Sequence, residues 1–278
     1  MKIAFGYELT FNCPGPTPMV CQLDVHPSLA GNLVETPNFT ARPATQSRVY
    51  LDSFGNMSRR FVAPAGAFTI TDGGVIDVSG APDPVHADAR EISIAELPDD
   101  TLVYLQGSRY VETDILSPFA WNQFGKVQPG WARVQAICDF VHQHLRFDYA
   151  QARSTRTANE AFNERVGVCR DFTHLAVALC RAMNIPARYC NGYLGDIGVP
   201  ADPAPMDFNA WFEVYLDGAW HTFDARHNMP RIGRILVARG RDAADIPLIN
   251  SFGPHVLKSF RVWTDEVSEP HLKLVQAS

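Results

Sequence analysis

The chain has 278 residues, of which 46% are hydrophobic and 19% are charged, the balance of a globular protein with a sizeable core. Its formal net charge of -6 argues against a surface for nucleic acid or anionic lipid, because such surfaces need clustered positive charge. No stretch approaches the roughly 18 to 20 consecutive apolar residues of a membrane span. The N-terminal segment lacks the compact apolar core of a signal peptide, so we expect a cytoplasmic protein.

The first part of the chain predicts an all-β module. The segments "KIAFGYELTF", "RVYLDSFGNMSRRFVA" and "AFTITDGGVIDVSG" alternate polar and apolar residues and are separated by Gly, Pro, Asn and Asp. We therefore expect a β-rich N-terminal domain over residues 1–114, built as a small sandwich or barrel.

From about residue 115 the pattern changes to helices followed by strands. Apolar residues recur at helical spacing over 130–147 and again from Cys169 to Met183, and a shorter helix is expected over 157–165. The segments "ARYCNGYLG", "NAWFEVYL" and "AWHTFDA" then predict strands. Helices packed on an antiparallel sheet make residues 115–278 an α+β domain.

One turn fixes the register of two of these strands. Asp217 and Gly218 stand between two β-rich runs, which predicts a two-residue type I′ hairpin. In that register Trp211 faces Asp224, and Asn209 lies diagonally from Asp224 on the same face of the sheet.

The six cysteines are too few and too scattered for a disulfide framework, so we expect mostly buried thiols. Cys138 and His142 share one helix face, but no second ligand pair has a recognisable spacing, and neither a metal nor an organic cofactor is predicted. Cys169 differs from the other cysteines, because it stands at the start of a helix. Unpaired N–H groups and the helix dipole lower a thiol pKa there, which favours a nucleophile over the alternative of a buried structural cysteine.

Two motifs resemble the transglutaminase-like superfamily, specifically its bacterial cysteine protease branch. They are "GVCRDFTHLAVALCRAMNIPARYCNGY" and "DFNAWFEVYLDGAWHTFDARHN". The resemblance implies a papain-like α+β core with a Cys-His-Asp triad, and acyl transfer at carboxamides of a peptide or similar substrate. Carried over by position, Cys169 is the nucleophile, Asp224 is the orienting acid, and Asn209 occupies the place of the family's histidine.

The sequence leaves three functions open. The chain is a thiol-dependent amide or peptide hydrolase or acyl transferase, an inactive binding module that has kept the cleft, or a protein with a structural or complex-forming role that depends on its β-module. Trp211 either walls that cleft or, as we expect, packs under the sheet. Tyr149 occupies a place that lies near the cleft in similar sequences.

An asparagine amide cannot supply the missing base. His142, His144 and His255 are remote in sequence and stay open as replacements, whereas three other histidines are not expected beside Asp224. His221 is expected on the face away from Asp224. His227 also starts on the wrong side, unless the strand ends near Ala225. His174 lies about 140° round the helix from the cysteine.

Overall fold

The N-terminal part of the chain forms two antiparallel β-sheets, as its alternating apolar residues predict. The computed structural model describes residues 1–267. The strands of this part are, in chain order, β1 (Lys2–Cys13), β2 (Thr17–Cys21), β3 (Leu33–Glu35), β4 (Thr40–Arg42), β5 (Ser47–Leu51), β6 (Met57–Ala63) and β7 (Gly66–Asp77). β1 pairs with β7 over its whole length, and β3 and β4 pair with the other edge of β7. β2, β6 and β5 form the second sheet.

Helices dominate the next segment. Its elements are α1 (Thr113–Phe124), α2 (Trp131–His144), β8 (Arg146–Phe147), α3 (Ala158–Glu164), β9 (Val166–Gly167) and α4 (Cys169–Ala182). The predicted helices over 130–147, 157–165 and 169–183 correspond to α2, α3 and α4. α1 was not predicted, because it contains Pro118 and its apolar face is weakly marked.

An antiparallel sheet follows, with strand order β12-β11-β10-β13. Its strands are β10 (Ala187–Tyr193), β11 (Asn209–Leu216), β12 (Ala219–Phe223) and β13 (Ile235–Gly240). Asp217 and Gly218 have φ values of 49° and 84°, so the type I′ hairpin is confirmed. The predicted register is confirmed from Leu216 opposite Ala219 to Phe212 opposite Phe223, where β12 ends.

The last two strands return to the N-terminal sheets. β14 (Ile249–Ser251) pairs with β2, and β15 (Val256–Glu266) pairs with β1. A Cβ atom on Gly6 would overlap the indole ring of Trp263, so the close approach of β1 and β15 requires glycine at this position. The domain boundary at residue 114 stays a prediction. β14 and β15 belong to the second predicted domain in sequence, but they pair with strands of the first.

Two apolar clusters hold the elements together. One packs the helices against β11 and β12, through side chains such as Leu175 and Phe212. The other joins the N-terminal sheets to β10 and β13 and includes Phe5, whose ring centroid lies 5.2 Å from that of Tyr193. Cys169 belongs to this second cluster, where the two meet. Within residues 1–267 no helix is long and apolar enough to cross a bilayer.

Candidate active site

The first turn of α4 is fixed by a buried carboxylate. The Val168 N–H donates to Oδ2 of Asp171 at 3.0 Å, and the Asp171 N–H donates to the Val168 carbonyl at 2.8 Å. The Arg156 guanidinium also donates to Oδ2 of Asp171, at 3.0 Å. Among the described residues the N–H groups of Cys169 and Arg170 make no hydrogen bond, as is usual at a helix start. Two N–H donors are therefore available beside the thiol.

The Cys169 sulfur faces the chain segment that leads into β11. The Cys169 thiol donates to the Phe208 carbonyl oxygen at 4.0 Å, and the Ala210 N–H is close enough to Sγ to favour the thiolate. Only 9% of the residue is exposed. Burial raises the pKa of the thiol to about 11, and Asp207 adds to the effect, while Arg226 and the Ala210 N–H oppose it. The expectation of a thiol pKa lowered by the helix start is wrong for this conformation, because desolvation outweighs the helix start and the nearby cation.

Asn209 supports an arginine rather than the sulfur. Its Oδ1 accepts a hydrogen bond from the Arg226 guanidinium at 3.1 Å, and its Nδ2 donates to the carbonyls of Leu194 and Asp207 at 3.4 and 3.3 Å. The same guanidinium lies 3.9 Å from the ring centroid of Phe147. The amide is thus fully engaged, and its role here is to position Arg226.

Asp224 closes a turn that begins where β12 ends. Its Oδ1 accepts hydrogen bonds from the N–H groups of Arg226 and His227, both at 3.0 Å, and its carbonyl accepts one from the Asn228 N–H at 2.8 Å. Such side-chain-capped turns are typical of aspartate. The turn brings the imidazole back onto the carboxylate, and Nδ1 of His227 lies 2.8 Å from Oδ2 of Asp224.

The carboxylate of Asp224 stays charged although it is buried. Burial would raise its pKa, but Arg234, which donates to Oδ2 at 2.9 Å, and His227 together hold the pKa well below its usual range. A charged carboxylate only accepts, so Nδ1 of His227 carries the hydrogen that lies between the two side chains. In the neutral imidazole, Nε2 is consequently the free acceptor.

A cleft of about 790 Å³ lies over these groups. Tyr149, Asp207, Asn209, Arg226 and His227 line it, and so does the segment from Leu194 to Asp202. Cys169 does not line the cleft. Its sulfur contacts Phe208, whose neighbours Asp207 and Asn209 do line it, so this segment separates the thiol from the cleft.

Trp211 packs beneath this region instead of lining it. It is 2% exposed, lies against Gly192, and has the Arg234 guanidinium 5.1 Å from its ring centroid. Because Arg234 also binds Asp224, the tryptophan and the carboxylate share one arginine. The expected packing role fits this position, and a direct contact with a ligand in the cleft does not.

The remaining histidines that were considered lie elsewhere. His221 contacts the Leu216 carbonyl at 3.1 Å, and its ring lies 4.8 Å from that of His86. His174 is buried between Tyr110 and Tyr189, and its Nε2 accepts from a backbone N–H. In the part of the chain that the structure describes, no three His, Cys, Asp or Glu side chains are grouped to hold a metal ion.

Sequence reasoning placed His227 on the wrong side unless the strand ended near Ala225. β12 ends at Phe223, so this condition is met and the imidazole lies on the same side as Asp224. Asp224 itself indicates where the strand ends, because an aspartate after a β-rich run favours a turn over continuation of the strand.

We expect Cys169 to be the first of the six thiols that iodoacetamide alkylates, because the other cysteines are at most 1% exposed. With a thiol pKa of about 11, the rate should be low at pH 7 and rise about tenfold per pH unit up to about pH 10. Peptide mapping after timed labelling measures this. A rate that levels off below pH 8 would contradict the assigned thiol environment.

Comparison with known proteins identifies chains with a similar sequence and fold. Residues 119–225 match the model of the transglutaminase-like superfamily. A solved structure from Cytophaga hutchinsonii, named "Putative Cysteine Protease", is 28% identical and has a TM-score of 0.85, covering 96% of this chain and 91% of that chain. An uncharacterized protein of Mycobacterium tuberculosis is 26% identical over 217 residues, 70% of this chain and 68% of the relative. One of Mycobacterium leprae is 24% identical over 214 residues, 73% and 75% of the respective chains. The resemblance inferred from the two motifs and the α+β fold are thereby confirmed.

Proposed function

Since residues 119–225 match the model of the transglutaminase-like superfamily, we propose that this chain is a member of it and acts as a thiol-dependent amide or peptide hydrolase or acyl transferase. Cys169 attacks the acyl carbon and forms a thioester, and the leaving amine departs. Water or an acceptor amine then attacks the thioester and releases the thiol. The N–H groups of Cys169 and Arg170 are the donors that would stabilise the oxyanion of each tetrahedral intermediate.

The observation that carries this proposal is the position of the Cys169 sulfur. It stands at the start of α4 against residues 208 and 210, while Asp207 and Asn209 line the adjoining cleft. A peptide bound in the cleft would therefore lie one side chain away from the nucleophile. Because the thiol is protonated and covered in this conformation, catalysis requires that substrate binding uncovers the sulfur and that a base removes its proton.

The acyl-enzyme is the species that tests the proposal. We expect 4-nitrophenyl acetate to acetylate Cys169, giving a burst of nitrophenol and a mass increase on the peptide that contains this residue. Cys169→Ala should lose both signals. Cys180→Ala is the matched control, because it makes the same change on the same helix in a fully buried site, and it should keep them. Addition of an amine then separates transfer from hydrolysis by the product formed.

A second candidate, the inactive binding module, is favoured by the covered thiol and by the engagement of Asn209 with Arg226. It predicts that peptides bind with no acyl adduct on Cys169. Calorimetry measures peptide binding. Peptide binding would overturn the enzyme proposal if the unchanged protein formed no acyl adduct, or if the adduct persisted in Cys169→Ala.

A further inference from the structure

We propose that His227, held by Asp224, is the general base that replaces the histidine missing at position 209. This inference rests on the proposed function and assigns a residue to its proton-transfer step. The starting observation is the 2.8 Å contact between Nδ1 of His227 and Oδ2 of Asp224. The acid of the triad thus retains an imidazole partner, supplied from the turn after β12.

The pairing has the features that orient a catalytic imidazole. Asp224 is buried and charged, and it also fixes the backbone N–H of His227 at 3.0 Å. The turn is tied to α2, because His142 contacts the Arg226 carbonyl at 2.8 Å through Nδ1. Both the ring and the chain that carries it are therefore constrained, which fixes the tautomer and the direction of Nε2.

The imidazole also lies on the side of the molecule where the cleft is. His227 lines the cleft together with Asp207 and Asn209, and these two residues flank Phe208, whose carbonyl the Cys169 sulfur contacts. Among residues 1–267 its Nε2 makes no hydrogen bond. No direct contact joins Nε2 to the Cys169 sulfur, so the proton passes through one water molecule or after the substrate has opened the wall between them.

The proton balance is complete with these groups. Nε2 of His227 takes the proton of the Cys169 thiol as the sulfur bonds to the acyl carbon. It then gives this proton to the leaving amine nitrogen or alkoxide oxygen as the acyl bond to that atom breaks. In the second half it takes a proton from the attacking water and returns it to the sulfur as the C–S bond breaks. No metal, oxidant or further reactant is needed.

The test compares the acetylation burst of His227→Gln with that of the unchanged protein and of Cys169→Ala. We expect His227→Gln to slow the burst by about 10² to 10⁴-fold. His255→Gln is the matched control, because the Nδ1 of His255 makes a contact of the same 2.8 Å, to Ser251, outside the cleft. It should keep the burst rate.

The pH profile separates proton transfer from a structural role. The burst rate of His227→Gln should rise about tenfold per pH unit as the free thiolate forms. That of the unchanged protein should rise less steeply, because the imidazole and not the solvent takes the thiol proton. Should His227→Gln fail to fold, added imidazole should restore the burst of His227→Ala. A folded His227→Gln with the original rate and profile would overturn this inference, while loss of the burst in Cys169→Ala would still support the proposed function. A burst that survives in Cys169→Ala would overturn the proposed function itself.

Discussion

Asp224→Asn is expected to lower kcat by about 10² to 10⁴-fold in the folded protein. Both oxygens of Asp224 accept, Oδ1 from two backbone N–H groups and Oδ2 from Arg234 and Nδ1 of His227, so an asparagine amide nitrogen meets donors in either orientation. In the orientation that keeps the oxygen on the backbone N–H groups, the nitrogen faces Nδ1 of His227. His227 would then have to accept at Nδ1 and carry its hydrogen on Nε2. An imidazole in that tautomer cannot take the proton of Cys169.

Asp83→Asn is the matched control for this change. Asp83 accepts from Nε of the same Arg234 at 2.8 Å but makes no contact with His227 among the described residues. Both variants remove one charge partner of a buried guanidinium, so both should lose stability. Only Asp224→Asn should lose kcat, measured by steady-state hydrolysis at temperatures where each variant is folded. Equal losses of kcat in the two variants would show that Asp224 acts through the fold alone.

Asp171→Ala is expected to lower the free energy of unfolding by about 3 to 5 kcal/mol. Its side chain is fully buried and pairs with Arg156, whose side chain is 3% exposed, so its removal leaves a buried cation with a lost partner. The Val168 N–H at the start of α4 would also lose its acceptor. Urea unfolding followed by circular dichroism measures the change.

Glu164→Gln provides the comparison. Glu164 accepts from Nε of the same Arg156 at 2.9 Å, but its side chain is 38% exposed and water can replace it. We expect a loss below about 1 kcal/mol. If Asp171→Ala cost no more than Glu164→Gln, the first turn of α4 would not depend on its buried carboxylate.

The parts of the fold that the sequence predicts are those with strong local signals. The helix beginning at Cys169 carries apolar residues along its length, and Asn184 adopts the left-handed conformation (φ 65°) that ends it. The hairpin is predicted as firmly, because Asp217 and Gly218 both need positive φ. Apolar periodicity and the conformational preferences of the turn residues are local signals, so these elements can be predicted without knowledge of tertiary contacts.

The parts of the site that the sequence does not predict depend on tertiary contacts. Whether a thiol at a helix start is acidic depends on what covers it, and Cys169 is covered by the segment before β11. Whether His227 reaches Asp224 depends on where β12 ends, and strand ends are set by a few hydrogen bonds. The resemblance assigned roles to Asp224 and Asn209, but it could not predict that they contact His227 and Arg226 respectively.

The pairing of β15 with β1 ties the cleft to the opposite end of the chain. Thr264, Asp265 and Glu266 line the cleft and lie opposite residues 3–5 of β1, and Gly6 leaves room for the next indole. The first strand therefore supports the rim of the cleft, even though none of its residues lines the cleft. A fragment comprising residues 115–278 would lack this support, and a bulky side chain at position 6 would disturb the cleft from a distance by displacing β15.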